Sequence, residues 1–357
     1  MLEIKKAVVV KVERSNKVLQ EVTLEIEHPC KKAMNYIQMM GEIRAGDVVL
    51  VNTTACSLNL GTGGYHFIMG NSSSGDRELL DTGHGMKLKY TPNQINVLFA
   101  EEEASELHGF FFRDLDLGGK LLLVGELHSM LVPLCAHLKY CTEGEIRVGC
   151  IVSDHGALPI GMSRNIEILK DKGLLDKSVT IGNAFGGDYE CVNIYTALQL
   201  LANILNMDVI IITMGPGIMG TGTPFGFSGL ELGFYLEFCH GRGANAFYVP
   251  RISFRDARIR HRGISHHFIT VLQKIVRGSI PIILPIMDIN KLKYVMTQLR
   301  LSGLLVKHPV HIRSGKNIVN SLSRYKLDPT TMGRGLDEER EFFHGLGAIV
   351  EYGLTRL

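Results

Sequence analysis

The hydrophobic pattern divides the chain into two regions. Up to about residue 110, short apolar stretches alternate in part with polar residues and are separated by turn residues, a pattern typical of β-strands. It predicts six strands, at residues 6–13, 18–27, 47–52, 65–69, 86–90 and 95–99. Six short strands with no helical period between them predict a small β barrel or sandwich domain over residues 1–110.

From about Gly118 onward, continuous apolar runs alternate with helical periods. The runs predict strands at residues 120–124, 147–152, 178–181, 208–214, 244–249 and 280–285. The periods predict helices near residues 128–140, 160–172, 189–205, 229–241, 264–277 and 288–301. This alternation is typical of a mostly parallel sheet with helices on both faces, so we predict a doubly wound α/β ligand-binding domain over residues 111–357.

Glycines, histidines and arginines collect in the loops that follow the predicted strands. These strand-end loops cover residues 126–129, 153–156, 182–188, 215–229 and 251–267, whereas loops after helices carry only short polar segments. The carboxyl ends of parallel strands share one edge of a sheet, where open α/β folds bind ligands. The distribution therefore predicts a single ligand site at this edge.

The last of these loops is rich in arginine. Between Arg251 and His267 stand five arginines, three histidines, one aspartate and no lysine, in a chain whose net charge is only +2. The guanidinium fork matches the oxygens of a carboxylate or phosphate, whereas lysine is a solvated point charge. A solvated charge run is the alternative, although such runs usually mix lysine and acids with arginine. We therefore expect Arg258, Arg260 and Arg262 to hold an anion.

The loop at residues 215–229 contains six glycines in fifteen residues. Glycine lets a backbone approach a ligand closely, and a following helix N-terminus favours an anion. The match of Gly215, Gly217 and Gly220 to a dinucleotide fingerprint is weak, because the helix is delayed, and no Walker A lysine follows. We predict an anion-binding loop. We expect ligand contacts from six of its residues and from Gly187 of the preceding strand-end loop. The six are Gly215, Gly217, Gly220, Thr221, Gly222 and Thr223.

Titratable residues in the strand-end loops are the catalytic candidates. Histidine and carboxylate beside arginine suit general acid–base chemistry on a phosphoryl or acyl group. The residues chosen are Asp154, His155, Asp188, His261 and His266, with Glu190 and His267 as further candidates. His266 and His267 are adjacent at a helix start and point about 100° apart, so at most one is expected to face the ligand. Ser265 is expected to cap that helix rather than to act as a nucleophile.

Metal and cofactor signals are weak. Asp154, His155 and Asp188 with a later histidine are an alternative metal set, but no paired histidine motif supports it, so no metal is predicted. The seven cysteines are odd in number and contain no Cys-x-x-Cys pair, which indicates buried thiols rather than a disulfide framework or a structural zinc site. The sequence identifies no cofactor.

Composition narrows the class of protein. The 357 residues are 45% apolar, and no apolar stretch approaches the roughly 20 residues that span a bilayer. With no apparent signal peptide, a cytoplasmic location and no membrane partner are expected. The near-neutral charge argues against a broad surface for nucleic acid. A homo-oligomer is left open.

Several strings resemble a known family when taken in order. They are VLVNTTACSLNLGTGGYHF (49–67), GHGMKLKYTPNQ (83–94), GNAFGGDYECVN (182–193), GPGIMGTGTPFGFSG (215–229), RHRGISHH (260–267) and TMGRG (331–335). They resemble a bacterial family, domain-of-unknown-function family 3866, over nearly the whole chain. The resemblance implies a bacterial cytoplasmic protein whose barrel motif and strand-end loops belong to one unit, and it implies no activity. The residues of the loop at 61–66 by themselves predict an ordinary hairpin connection, but the resemblance implies that this loop lies nearer to the site.

These observations favour an enzyme that acts by hydrolysis or group transfer on a phosphorylated or nucleotide-like small anion. Arginines would hold the anion, the glycine loop would surround it, and Asp154, His155 or His261 would move protons. A non-catalytic metabolite-sensing protein using the same pocket is one alternative. The other is an RNA-binding module built from the β domain and the arginines.

Overall fold

The computed structural model describes residues 1–61, 63–78 and 83–357. The chain forms two compact units, Met1–Leu98 and Phe99–Leu357. The predicted domain boundary near residue 110 falls within the second unit. Within the described residues, no helix combines the length and the apolar character that crossing a membrane requires.

The first unit is a closed five-stranded barrel with strand order β1-β2-β3-β5-β4. Its parallel pair is β3 with β5, which aligns Ala33 with His66, and its other neighbouring strands are antiparallel. Alternate side chains such as Val9, Val22 and Val51 fill the interior. The elements are β1 (Ile4–Ser15), β2 (Leu19–Glu25), β3 (Lys32–Tyr36), α1 (Ile37–Met40), β4 (Val48–Asn52), α2 (Thr54–Ser57) and β5 (His66–Asn71).

The sequence prediction of a small β domain is confirmed, and a barrel is formed rather than a sandwich. Strand β3 was not predicted from the sequence. Its residues Ala33, Met34 and Asn35 are all buried, so buried and exposed positions do not alternate along it. The last two predicted strands are shorter than expected, β6 (Gly85–Lys87) and β7 (Ile95–Val97). They pair with each other as a separate antiparallel ribbon.

The second unit is built on a six-stranded, fully parallel sheet with strand order β11-β10-β9-β12-β8-β13. Its strands are β8 (Leu121–Gly125), β9 (Val148–Ser153), β10 (Lys177–Ile181), β11 (Tyr189–Cys191), β12 (Val209–Met214) and β13 (Asn245–Val249). The helices between them are α3 (Leu131–Cys141), α4 (Arg164–Asp171), α5 (Ile194–Gln199) and α6 (Glu231–Gly241).

Shorter elements complete the unit after β13. They are β14 (Ile252–Ser253), β15 (Gly263–Ile264), α7 (His266–Thr270), β16 (Ile282–Pro285), α8 (Ile289–Leu301), α9 (Leu304–Lys307), β17 (Val310–Arg313), α10 (Ile318–Arg324) and α11 (Arg340–Leu354). Strands β14 and β15 pair antiparallel and close the arginine-rich loop at its base. The helices α5 and α7 each continue into one π-helical turn.

Alternate residues of the sheet face two separate cores. Leu122 and Val124 of β8 pack in one core with residues of α5, α6 and α7. Leu121 and Leu123 pack in the other with residues of α3, α4 and α11. Helices therefore lie on both faces of the parallel sheet, and the mixed α/β fold is confirmed. The doubly wound order of its connections stays a prediction.

Two predicted elements need correction. The apolar run at residues 280–285 does not join the main sheet, because β16 pairs instead with β17 in a separate two-stranded parallel sheet. An apolar run shows that a strand is buried but does not reveal its partner. The helix predicted from residue 189 begins at Ile194, where Asn193 caps it by accepting hydrogen bonds from the amides of Tyr195 and Thr196. Residues 189–191 form edge strand β11 instead.

Candidate anion-binding and catalytic site

The loops after β9 and β12 touch at the carboxyl edge of the sheet. The Ala157 amide donates to the Pro216 carbonyl at 2.8 Å. A Cβ atom on Gly156 would lie 2.5 Å from the Gly215 carbonyl oxygen, so the two backbones pass closer than side chains allow. Gly215 therefore serves loop packing, and the two loops belong to one edge.

The arginine-rich loop is organised around a buried aspartate. Asp256 accepts from Arg251 at 2.9 Å and from Nε and Nη2 of Arg258 at 3.0 and 2.9 Å. The hydrogen bonds from Arg258 hold the pKa of Asp256 well below its usual range. Arg251 is itself buried, and its Nη1 donates to Nδ1 of His261 at 3.3 Å. One carboxylate thus fixes two of the arginines in place.

A cavity of about 150 Å³ opens beside this loop, and we name it the arginine–histidine pocket. It contains five of the predicted site residues, which come from the glycine loop and the arginine loop. Its lining residues are Leu127, Ile218, Gly220, Gly222, Arg251, Arg258, Arg260, His261, His267 and Met332. Arg260 is exposed and has no ion-pair partner among the described residues, so its guanidinium is available to a ligand.

Three histidines cluster at the pocket. The ring centroids lie 4.9 Å apart for His261 and His266, 5.1 Å for His261 and His267, and 4.2 Å for His266 and His267. Burial and the charges of Arg251 and Arg258 lower the pKa of His261 to about 3. Burial and the neighbouring histidines and arginines also lower the pKa of His267 to about 3. Burial and Arg260 lower the pKa of His266 as well. All three imidazoles are therefore neutral at pH 7.

His267 is held on several sides. The Phe227 ring stacks on it with centroids 3.7 Å apart and planes 11° apart. A Cβ atom on Gly220 would lie 3.1 Å from its Nε2, so the glycine leaves room for the ring. Ser265 caps α7, as predicted, by accepting from the His267 amide. His267 lines the pocket, and His266 packs beside it as a neighbour.

Glu126 lies behind His267, 4.0 Å from its Nδ1. Its side chain is fully buried, and neither carboxyl oxygen has a hydrogen-bond partner within the described residues. Burial raises the pKa of Glu126 to about 7, although the charge of Arg251 opposes the rise. An orphaned buried carboxyl beside a neutral imidazole can accept or release a proton as the charge of the pocket changes.

A metal ion fits this cluster poorly. One nitrogen from each of His261, His266 and His267 lies within 4.8 Å of the others, as a metal site requires. However, Nδ1 of His261 accepts from Arg251, which places its proton on Nε2. Burial is the main reason that the pKa values of these imidazoles are low, and the arginine charges, which lower them further, would also repel a cation. The electrostatics of the pocket therefore favour an anion.

A second group of residues, the acidic histidine cluster, consists of Asp154, His155 and Glu231. Nε2 of His155 lies 3.0 Å from Glu231 and 3.8 Å from Asp154. Tyr235 donates to the same Glu231 oxygen at 2.9 Å, and the Asn183 amide donates to Asp154 at 3.1 Å. Two carboxylates and one imidazole are ligands that suit a divalent cation.

The model of a family described as "Protein of unknown function (DUF3866)" matches residues 32–350. The chain belongs to this family. No curated protein and no solved structure matches it. The DUF3866 assignment confirms the resemblance seen in the sequence, and because the family description names no activity, the roles of residues rest on the geometry of this chain.

Gly187 and Asp188 of the DUF3866 chain lie away from the pocket. Asp188 accepts from the amide and hydroxyl of Ser178, near the amino end of β10, and from Lys170 at 2.6 Å. Burial opposes ionisation, but these hydrogen bonds lower the pKa of Asp188 below its ordinary value. Gly187 packs over Thr180, whose hydroxyl accepts from the Gly187 amide at 3.0 Å. The chain runs back along β10 before β11 begins, so Gly187 lies beside Thr180 and Asp188 lies near the amino ends of the strands, away from the pocket.

Other predicted contacts also have local roles. Thr221 and Thr223 hydrogen-bond to each other at 2.9 Å and to the backbone of Gly226, so these hydroxyls brace the glycine loop. Gly217 has a φ of 116°, which favours glycine whatever it contacts. Arg262 lines a different cavity, with Phe254, Arg255, Asn290, Lys291 and Tyr294. Glu190 accepts from Thr180 at 2.6 Å, within the sheet.

Sequence reasoning missed three residues at this edge. Glu126 directly follows the apolar run of β8, and its position at a strand end was a usable signal. Glu231 opens α6 directly after the glycine loop, where an acid also fits the helix N-terminus. Met332 lines the pocket from the C-terminal TMGRG segment, and an apolar residue in a loop carries no signal of this kind.

Proposed function

We propose that this protein binds a small phosphorylated metabolite in the arginine–histidine pocket and hydrolyses or transfers its phosphoryl group. One observation carries the proposal. Arg258, Arg260 and two neutral histidines line one small cavity together with the glycines of the β12 loop. Arg260 can present its guanidinium fork to phosphate oxygens, whereas Arg258, whose Nε and Nη2 bond to Asp256, adds positive charge. Neutral imidazole supplies a donor or a base.

The size of the cavity supports a small ligand. Pockets for drug-sized molecules usually measure about 300–1,000 Å³, whereas this one measures about 150 Å³. A phosphate group with a short organic part fits that volume better than a dinucleotide does. Leu127, Ile218 and Met332 provide an apolar wall for the organic part, and the backbone at Gly220 and Gly222 can approach the phosphate.

His267 is the proposed base, with Glu126 as its positioning residue. Bound phosphate offsets the charge of the arginines and thereby raises the pKa of His267. In hydrolysis, His267 takes a proton from water while the water oxygen bonds to phosphorus. The P–O ester bond then breaks, and the proton passes to the departing oxygen. Glu126, 4.0 Å from Nδ1, stabilises the imidazolium between these steps. His261 donates from Nε2 to a phosphate oxygen, because its Nδ1 accepts from Arg251.

A pair of arginine variants tests the binding step. Arg260→Ala removes from the pocket a guanidinium that has no ion-pair partner in the described part of the chain, and Arg262→Ala removes an exposed arginine that lines another cavity. Thermal unfolding is followed with inorganic phosphate and a panel of phosphomonoesters. A ligand at a hundredfold excess over its Kd stabilises the native state by about 2.7 kcal/mol. We expect this stabilisation in the wild type and in Arg262→Ala but not in Arg260→Ala. Equal responses of the two variants would remove the basis of the proposal.

Release of phosphate tests the chemical step. His267→Gln keeps a polar side chain in the pocket but removes the base, so we expect phosphate binding to persist while turnover falls about 10²-fold or more. Undiminished turnover in this variant would exclude His267 as the base. A ligand that binds but is never turned over by the wild type would identify a metabolite-sensing protein instead.

A further inference from the structure

The barrel unit contains a second cluster with different chemistry, which we name the thiol–histidine cluster. Cys30 lies just before β3, Cys56 lies in α2, and His66 begins β5. Each residue offers one ligand atom, a sulfur or a ring nitrogen, and these atoms lie within 4.8 Å of one another. Three separate elements of the barrel therefore converge on one point.

The ring of His66 is prepared for ligation. Its Nε2 lies 3.1 Å from the carbonyl oxygen of Cys30, and since a carbonyl can only accept, Nε2 carries the proton. Nδ1 therefore holds a lone pair. That nitrogen is buried, on a side chain only 1% exposed, and it has no hydrogen-bond partner among the described residues. An imidazole that donates from one nitrogen to a carbonyl and offers the other is the usual arrangement of a metal ligand.

The protonation state of His66 agrees with this role. Burial lowers the pKa of His66, against the opposing effect of its hydrogen bond to Cys30, so the ring is neutral at pH 7. A buried acceptor without a partner is costly, and such groups are rare in native proteins. A bound cation would satisfy the orphaned nitrogen directly.

His28 is a neighbour rather than a ligand. Its ring meets that of His66 edge to face at 4.6 Å. Its Nδ1 accepts from the Cys30 amide at 3.0 Å, and its Nε2 lies 3.2 Å from the Ser57 hydroxyl. Both nitrogens are therefore engaged, and they hold the backbone of Cys30 and the end of α2 in place around the cluster.

The ligand types select the ion. Thiolates and imidazole suit zinc, which binds sulfur at about 2.3 Å and nitrogen at about 2.0 Å in tetrahedral geometry. These bonds place neighbouring ligand atoms about 3.3–3.8 Å apart. Since the ligand atoms lie within 4.8 Å of one another, each separation has to close by at most about 1.5 Å, which flexible side chains allow. Cys30 is half-buried, its thiol 3.0 Å from the Gly64 carbonyl, so its sulfur already points into the barrel loops.

We propose that Cys30, Cys56 and Nδ1 of His66 bind one zinc ion, with a fourth position left to water or another small ligand. Both thiols lose their protons to solvent as the two Zn–S bonds form, and the neutral imidazole loses none. The ion ties the start of β3, helix α2 and the start of β5 together. The site is independent of the proposed function, because all its residues lie in the first unit.

Metal binding by the full-length reduced protein tests this site. After incubation with a small excess of Zn(II) and dialysis, metal analysis should find one zinc per chain. Cys56→Ser and His66→Gln should each weaken zinc binding by more than about tenfold, since even outer-shell changes cost about 10–100-fold. Cys141→Ser is the matched control, because it removes an exposed thiol of the second unit. It should bind zinc like the wild type.

Cobalt substitution provides a readout that does not depend on stability. Co(II) bound by thiolates gives a sulfur-to-metal charge-transfer band, which should weaken in Cys30→Ser while circular dichroism shows an intact fold. Absence of zinc from the wild type, or equal loss in Cys141→Ser and Cys56→Ser, would overturn the proposal. A disulfide between Cys30 and Cys56 that persists in the zinc-treated protein would also overturn it.

Discussion

The arginine–histidine pocket and the acidic histidine cluster place histidines in opposite electrostatic surroundings at one edge of a single sheet. Burial, the neighbouring histidines and the charges of Arg251 and Arg260 lower the pKa of His267 to about 3. His155 is 47% exposed and lies between two carboxylates. Strand β12 and its glycine loop lie between the strands that carry the two groups.

The difference follows from the strands that lead into each group. Glu126 follows β8 and Arg251 follows β13, which are neighbouring strands, so the charge of Arg251 acts on Glu126 at the pocket. Asp154 and His155 follow β9, on the far side of β12, and meet Glu231 of α6. The same residue type therefore suits anion chemistry in one place and cation binding in the other, and its neighbours decide which.

Loss of Arg251 should give the largest effect on stability. Arg251 and Asp256 are both about 5% exposed, and breaking a buried pair costs about 3–5 kcal/mol because the remaining charge stays buried. We expect Arg251→Met to lower the free energy of unfolding by about 3 kcal/mol, since Arg258 still pairs with Asp256. Arg260→Met should change it by less than about 0.5 kcal/mol. Urea unfolding measures both, and equal losses would contradict the assignment of Arg251 to the scaffold and Arg260 to the ligand.

Glu126→Gln should change how stability depends on pH. Burial raises the pKa of Glu126 from 4.5 to about 7, so between these values the folded state holds a proton that the unfolded state has lost. Glu126 therefore stabilises the folded state at low pH. Its contribution to the free energy of unfolding, about 3 kcal/mol, is lost as the pH rises through 7. The difference in unfolding free energy between wild type and Glu126→Gln, measured from pH 4.5 to 7.5, should show this slope.

The histidines set the opposite trend, which the same titration can separate. Burial lowers the pKa of His261 and His267 from 6.5 to about 3, so the unfolded state binds protons first as pH falls below 6.5. Their contribution destabilises the fold in acid. A Glu126→Gln protein should therefore lose stability monotonically as pH falls through this window. A flat profile would show that these histidines are not buried as neutral groups.

Gly220→Ala tests the fit of the glycine loop against His267. The new methyl group would lie 3.1 Å from Nε2, and the Phe227 stack limits movement of the ring. We expect a loss of about 1 kcal/mol in stability and about tenfold lower turnover, since small misplacements of catalytic groups are costly. Gly241→Ala is the control, because no described residue beyond its own helix and chain neighbours lies within 4 Å of its Cβ position. Unchanged turnover in Gly220→Ala would place the reacting group elsewhere.

Glu231→Gln should have the smallest effect. It weakens the contact with Nε2 of His155, which is partly exposed, and exposed polar pairs of this kind contribute less than about 1 kcal/mol. Phosphate binding in the arginine–histidine pocket should be unchanged, as titration calorimetry can show. If phosphate binding fails in this variant, the two groups form one site, and the contrast between them breaks down.

Most of the architecture was predictable because its signals are local. Five strands of the sheet were located within one residue at each end, since buried parallel strands such as residues 209–214 are continuous apolar runs. Strand β3 and the short edge strand β11 were not, because neither shows alternation or a long apolar run. The partner of β16 was also missed, since pairing depends on where the chain returns and not on the composition of the strand.

The candidate site divides in the same way. The sequence predicts which edge of the sheet carries the site and that the arginine-rich loop suits an anion, because residue type and position after a strand are enough for both predictions. The sequence could not predict which arginine faces the pocket, because Arg260 and Arg262 are only two residues apart but line different cavities. Arg260 lies in a short 3-10 turn, Ile259–His261, whereas Arg262 directly precedes β15.

The sequence by itself determined the small β domain, the parallel sheet, the loop-lined edge and the family. Tertiary structure decided that Glu126 stands behind His267, that Asp188 lies at the opposite edge, and that Cys30, Cys56 and His66 converge. The physical reason is distance along the chain. Periodicity and residue type act over a few positions, whereas Glu126 and His267 come from strand ends that only the packed sheet brings within 4.0 Å. Burial, which sets their charge, exists only once that packing is complete.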